Sequence, residues 1–186
     1  MKLTQLLVTS AFCLAGMAPT LPLVPQAVAQ APAPKAESKY PQLDGLVKRV
    51  TPQFAGKVNF KVSAKAKYAV IKGMGAKILI TAPSVSECAR AYGHYLRHAA
   101  HVHLSWNGDN TSAAQFVVPG KEVVVPDTLP YNYAYNYCTY SYSGAHWDKK
   151  RWMRELDLLA LNGFKYVLVT PGIEKVWQGF LKDLDY

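Results

Sequence analysis

The chain has 186 residues, half of them hydrophobic and 18% charged, with a formal charge of +9. That length and apolar content exclude global disorder and leave room for one domain, or one small domain and part of another. Three cysteines exclude a disulfide-framework domain, and the basic balance draws attention to anionic partners.

The first elements in chain order are not structural. Lys2 opens the sequence, an apolar run follows from Leu6 to Ala18, and a small-residue site stands at Ala27-Val28-Ala29. This is the pattern of a secretory signal peptide over residues 1–29, cleaved near Ala29, and the run is too short to span a bilayer. The expected destination is periplasmic or extracellular. Cys13 lies inside the apolar run without the small residues of a lipoprotein anchor before it. The mature chain would keep Cys88 and Cys138, enough for one disulfide in an oxidising compartment. Residues 30–39 are rich in Pro and Ala and read as a flexible leader.

Residues 40–126 carry 11 Lys/Arg against 4 Asp/Glu, whereas residues 127–186 carry 7 of each. This shift places a boundary near "VVPDTLP". In the first part, "KVNFKVSAK" alternates as a half-buried strand should, and "KYAVIKGMGAKILITA" reads as two strands joined at Gly73–Gly75. Ser84 and Glu87 form a capping-box pair opening a helix through Val85, Cys88, Ala89, Tyr92, Leu96 and Ala99. "HVHLSWNG" returns to alternation. The sum is a small α+β domain over 40–126.

The second part opens with "YNYAYNYCTYSYS" at residues 131–143, six tyrosines in thirteen residues. Alternation predicts a strand over 131–140, with Tyr131, Tyr133, Tyr135 and Tyr137 on one face and Asn136 and Cys138 on the other. A helix over 148–162 follows, stopped by Gly163, then the apolar strand "FKYVLVT" and a helix from Ile173 to Leu184. Such a βαβα run is the start of a larger parallel α/β domain. Left open, it would expose strand edges and the apolar faces of Leu156, Leu159 and Val167.

Four side-chain groups could carry chemistry. The tyrosines could be core filler, a stacking platform or a pocket wall. No basic residue interleaves them between Tyr131 and His146, which argues against nucleic acid. A polar Asn136 and a compact Cys138 are odd as filler near the end of a strand. His94 and His98 have the i, i+4 spacing of a metal pair, but Tyr95 stands where a zinc peptidase needs Glu, so a solvated helix face is expected and no metal. Glu155 and Asp157, two apart on a helix, cannot face one pocket together, and Asp148 with Arg151 reads as an ordinary helix pair. Glu174, directly after the turn that follows the second strand, is the one acidic residue placed where barrel sites form.

The spacing Asn136-x-Cys138-Thr139-x-Ser141-Tyr142-Ser143, then Trp147-Asp148-x-x-Arg151-Trp152, Glu155-x-Asp157, Ala160-Leu161-Asn162-Gly163 and Gly172-x-Glu174-x-x-Trp177-Gln178 resembles the opening of the catalytic barrel of α-N-acetylglucosaminidases, glycoside hydrolase family eighty-nine. Upstream, "YLRHAAHVHLSWNG" resembles the end of the small domain preceding that barrel. The resemblance implies that residues 127–186 are the first βαβα units of a (β/α)8 TIM-type barrel, incomplete in this chain. It implies retaining hydrolysis of terminal α-linked N-acetylglucosamine from glycans, with Asn136 and Cys138 in the sugar pocket; Glu174, from its place after the turn, is the further candidate for a substrate contact. The family's two catalytic glutamates lie on later strands, so no catalytic residue is expected here and the chain alone should be inactive. Thr170-Pro171 departs from the family pattern, and His94, His98 and His101 have no counterpart in it.

The expected partners are a glycan ending in α-N-acetylglucosamine and the remainder of the barrel, with no nucleic acid, membrane span, cofactor or metal. The alternative is an exported basic glycan-binding module without catalysis.

Overall fold

The computed structural model describes residues 39–126, 129, 131–168 and 172–185. The expected signal peptide, the expected leader up to residue 38, and residues 127–128, 130, 169–171 (Thr170-Pro171 among them) and 186 lie outside the described residues. Residues 37–186 form one compact unit.

That unit begins with a helix the sequence reading did not anticipate, α1 (Pro41–Val50). Pro41 sits in its first turn, where its missing N–H costs nothing, while Asp44 near the start and Lys48 and Arg49 near the end suit the helix dipole. Leu43, Leu46, Val47 and Val50 make its buried stripe. A sheet follows: β1 (Val58–Val62), β2 (Ala69–Met74), β3 (Lys77–Ala82) and, later, β4 (Val123–Val125). Its order is β1-β3-β2-β4, with β1 parallel to β3 and the other pairs antiparallel. The expected strands and hairpin are present; β4 was not anticipated.

Helix α2 (Val85–His98) is capped as expected, the Ser84 hydroxyl accepting from the Glu87 amide. Its Cys88, Ala91, Tyr92 and Tyr95 join α1 and the inner sheet face, Val58, Ile71, Ile78 and Ile80, in one core. "HVHLSWNG" is not a strand. Only Leu104 and Asp109 form a bridge, because His101 has φ +51 and the Asn110 side chain takes the place of a partner strand. Asn110 Oδ1 accepts from the His103 amide at 2.6 Å and its Nδ2 donates to the His101 carbonyl at 3.1 Å.

The second part is β5 (Tyr133–Ala134), α3 (Tyr137–Ser141), α4 (Lys149–Leu161), β6 (Tyr166–Val167) and α5 (Ile173–Asp183). Strands β5 and β6 are parallel neighbours, as a βαβ unit requires. The long tyrosine strand is corrected. The chain leaves extended geometry at Tyr135 (φ +73), and Asn136 then caps α3 with its side-chain oxygen on the Thr139 amide. The alternation of 131–140 therefore does not sort Asn136 and Cys138 onto one sheet face.

Helix α4 docks on α2 instead of standing open. At Gly93 an added Cβ would fall 1.9 Å from the Leu161 carbonyl oxygen, so only glycine permits this approach. Gly163 (φ +82) ends α4 in the left-handed conformation, as its position predicted. Leu161 joins the core through this docking and Leu159 is also buried, whereas Leu156 stays exposed. On α5, Val176, Trp177, Phe180 and Leu181 are all exposed, as is Leu184 just beyond its end. Among the described residues no helix is long and apolar enough to cross a membrane, and no closed barrel is formed.

Candidate functional site at the strand ends

Parallel strands place the segments that follow them at one end of the sheet. Asn136 follows β5, and Gly172 and Glu174 follow β6, so all three stand at the C-terminal end of the β5–β6 pair. This is the end at which barrels of this type build their sites. Asn136 is exposed; its Oδ1 accepts from the Thr139 amide at 3.2 Å and from the Thr139 hydroxyl at 3.4 Å. Its amide nitrogen has no partner among the described residues. Cys138 is half-buried in the first turn of α3. Glu174 is exposed in the first turn of α5, where the helix dipole favours its charge. No contact among the described residues joins Glu174 to Asn136 or Cys138.

Two tyrosines hold the turn that carries Asn136 and Cys138. The Tyr135 hydroxyl donates to Glu155 Oε1, and the Tyr140 hydroxyl donates to the Leu168 carbonyl. Their rings meet edge to face, centroids 6.3 Å apart, and Tyr140 stacks on Trp152 at 5.2 Å. Burial raises the Tyr135 phenol well above its usual range, and the Glu155 carboxylate raises it further, so this hydroxyl is a donor at all physiological pH. Tyr131, Tyr133, Tyr137 and Tyr142 are exposed. The ladder thus divides into two clamps and four solvent-facing rings, a division that alternation could not reveal.

The carboxylates of the second part are mostly engaged. Asp148 caps α4, accepting from the Arg151 amide at 2.7 Å, so the expected Asp148–Arg151 pair is a cap. Asp157 takes both oxygens to Arg49, each at 2.7 Å, and this pairing holds the Arg49 guanidinium above its usual range. Glu155 is fully buried and is discussed below. As expected, Glu155 and Asp157 face different partners.

A cleft of about 700 Å³ between α1, the 104–111 loop and the start of α4 is lined by none of Asn136, Cys138 or Glu174. Its Arg49 is paired with Asp157, and its Arg154 lies 3.0 Å from Asp109. Arg154 is half exposed, Lys149 and Lys150 are exposed, and the buried Asp157 is already neutralised by Arg49, so the cleft has no unpaired desolvated charge to organise a ligand.

The histidine and thiol readings can also be placed. The His94 and His98 rings lie 4.3 Å apart, tilted by 39°, and burial first, then the charges of His98, Arg97 and Arg90, lower the His94 pKa. Neighbouring cations oppose a metal there, and no group of three or more His, Cys, Asp or Glu able to hold one occurs among the described residues. Glu87 is turned instead to Arg90 at 2.7 Å and Lys165 at 3.5 Å. Cys88 and Cys138 are free thiols, not a disulfide. Burial and the Glu87 charge push Cys88 up to about 11.

Comparison with known proteins bears on this geometry. A family model described as the α-N-acetylglucosaminidase N-terminal domain matches residues 42–131, and one described as the α-N-acetylglucosaminidase TIM-barrel domain matches residues 132–186. The human α-N-acetylglucosaminidase is 33% identical over 117 residues, which is 60% of this chain and 15% of the relative. A family 89 glycoside hydrolase from Clostridium perfringens, solved in complex with 2-acetamido-1,2-dideoxynojirmycin, superposes with a TM-score of 0.70 at 28% identity. That likeness covers 78% of this chain and 17% of the other, and the same values hold for its complex with PUGNAc. A double glutamate-to-glutamine variant of the Clostridium enzyme, in complex with its substrate GlcNAc-alpha-1,4-galactose, matches equally. The chain therefore spans only 15–17% of the length of these relatives.

Proposed function

Because the chain belongs to the α-N-acetylglucosaminidase family through both of its matched domains, we propose that it is the N-terminal portion of an exported enzyme of that kind, one that removes terminal α-linked N-acetylglucosamine with retention of configuration. The observation that carries this reading is the joint match of both domains, in the family's order, with Asn136 and Cys138 at the C-terminal end of the first barrel strand. The free amide nitrogen of Asn136 and the half-buried Cys138 thiol supply one wall of a pocket for a small polar sugar. Glu174 stands on the adjoining loop as a further contact to the glycan.

Retaining hydrolysis needs two carboxyl groups about 5–5.5 Å apart across the scissile bond. In this reading that pair is supplied by barrel strands following residue 186. The apolar run from Leu6 to Ala18 followed by the Ala27-Val28-Ala29 site supports export.

Purified chain should not turn over an aryl α-N-acetylglucosaminide; robust turnover would overturn the placing of the catalytic pair outside it. The polypeptide isolated from the exported fraction of source cells should begin near Gln30 of this sequence, run several times longer and hydrolyse that substrate. There, Asn136→Ala should lower kcat/KM about tenfold to a hundredfold, the loss of one or two well-placed hydrogen bonds.

One observation favours the non-catalytic alternative. The sheet face turned away from the helices carries Lys61, Lys72 and Lys77, exposed and without an ion-pair partner among the described residues. An exported glycan-binding module could use that face on an acidic polysaccharide, with affinity falling steeply as salt rises. Retention on a heparin column that persists at high salt would count against charge attraction.

A further inference from the structure

The turn that presents Asn136 and Cys138 begins with a strained residue. Tyr135 has φ +73, a setting unfavourable to a non-glycine residue unless its surroundings compensate. Its hydroxyl is fixed by Glu155, whose side chain is 0% exposed. Glu155 lies on α4 and receives donors from three directions. Arg151, one turn earlier on the same helix, donates to Oε2 at 2.8 Å. Tyr135, from the end of β5, donates to Oε1. Trp106, from the loop between α2 and β4 of the N-terminal α+β domain, donates its indole N–H to the same Oε1 at 3.1 Å.

A buried carboxylate without partners is severely penalised, so the three donors and the carboxylate fix one another. Glutamate suits this role because it only accepts. Glutamine could still accept from Tyr135 and Trp106 through its oxygen, but its NH2 would face the Arg151 guanidinium, donor against donor. Beyond the turn, Tyr140 is anchored independently by Leu168 and Trp152. The segment from Asn136 to Thr139 is thus bracketed by two clamps, and only the first reaches into the N-terminal domain.

We propose that Glu155 is a positioning residue, which sets the Asn136–Cys138 turn through Tyr135 and makes the geometry of that turn depend on the N-terminal domain through Trp106. Its relevance to sugar binding rests on the pocket reading given above; the coupling itself does not.

The test uses alkylation of the full chain with iodoacetamide, followed at each cysteine by peptide mass spectrometry. Cys138 reports the turn, and Cys88, buried in the N-terminal core, reports general loosening. Trp106 is 66% exposed, so Trp106→Phe removes the indole donor with little loss of packing. It should raise the Cys138 rate about threefold or more, the scale of one lost hydrogen bond, with Cys88 still protected. Glu155→Leu should raise it further, and Glu155→Gln should fall between the wild type and Glu155→Leu. An unchanged Cys138 rate in Trp106→Phe overturns the dependence on the N-terminal domain. A parallel rise of Cys88 and Cys138 in Glu155→Leu, with Glu155→Gln no different from it, overturns positioning and leaves Glu155 a folding residue. A chain that fails to bind N-acetylglucosaminides would leave all of these rates as they are, so the pocket reading and the coupling fail separately.

Discussion

The two parts of the described chain spend their apolar residues differently. In the N-terminal domain, α1 and α2 cover the inner sheet face, and Phe54, Tyr92 and Tyr95 are packed to near-complete burial. In the second part α4 is covered by α2 on one side and by Trp106 and Tyr135 around Glu155, while α5 presents Trp177 and Phe180, in edge-to-face contact with each other, to solvent. Both parts carry amphipathic helices of similar length. What separates them is whether a second layer lies against the apolar stripe, and a stripe contributes stability only in proportion to the area that layer removes from water.

This comparison can be broken most forcefully at the contact that ties the parts together. Gly93→Ala should cost about 3 kcal/mol, because its new methyl meets Leu161 backbone that cannot yield without parting α2 from α4. Urea unfolding would measure it, and a change within error would mean that α4 is not seated on α2. The Arg49–Asp157 bridge is a second tie. Asp157 is 7% exposed, but Arg49 keeps contact with solvent, so Asp157→Asn should cost about 1–2 kcal/mol, less than a fully buried pair would. A cost above that range would show the pair to be shielded from water. The smallest effect belongs to α5: Phe180→Ala should change stability by no more than about 0.5 kcal/mol in the isolated chain. A larger loss would show that the apolar face of α5 is covered in solution, and the comparison would lose its second half.

Much of the fold was legible because local patterns and their physical causes coincide. Val58–Val62, the β2–β3 hairpin, α2 with its Ser84 cap, and α4 with its Gly163 stop follow directly from alternation, capping chemistry and a left-handed glycine. Helix α1 was missed although its apolar spacing is regular; Pro41 and Gly45 obscure it unless Pro41 is recognised as a first-turn residue. The tyrosine segment misled for a different reason. Alternation is a strand signal only while φ stays extended, and no composition rule announces that Tyr135 will turn left-handed. Glu155 was set aside because its spacing from Asp157 rules out a shared pocket, which is correct. Of its partners, Arg151 stands at the legible i, i+4 spacing, but Trp106 and Tyr135 are 49 and 20 residues away and have no fixed offset to betray them.

The sequence by itself determined the element types over most of the chain, the family, and the residues proposed for the sugar pocket, since each depends on local pattern or on a run of residues at set spacing. Tertiary structure alone decided that α4 packs on α2 across Gly93, that the tyrosines divide into clamps and exposed rings, and that a buried carboxylate links the N-terminal domain to the Asn136 turn. Those features depend on which distant groups meet once the backbone is placed. A buried polar group takes whatever donors the fold brings within hydrogen-bond reach.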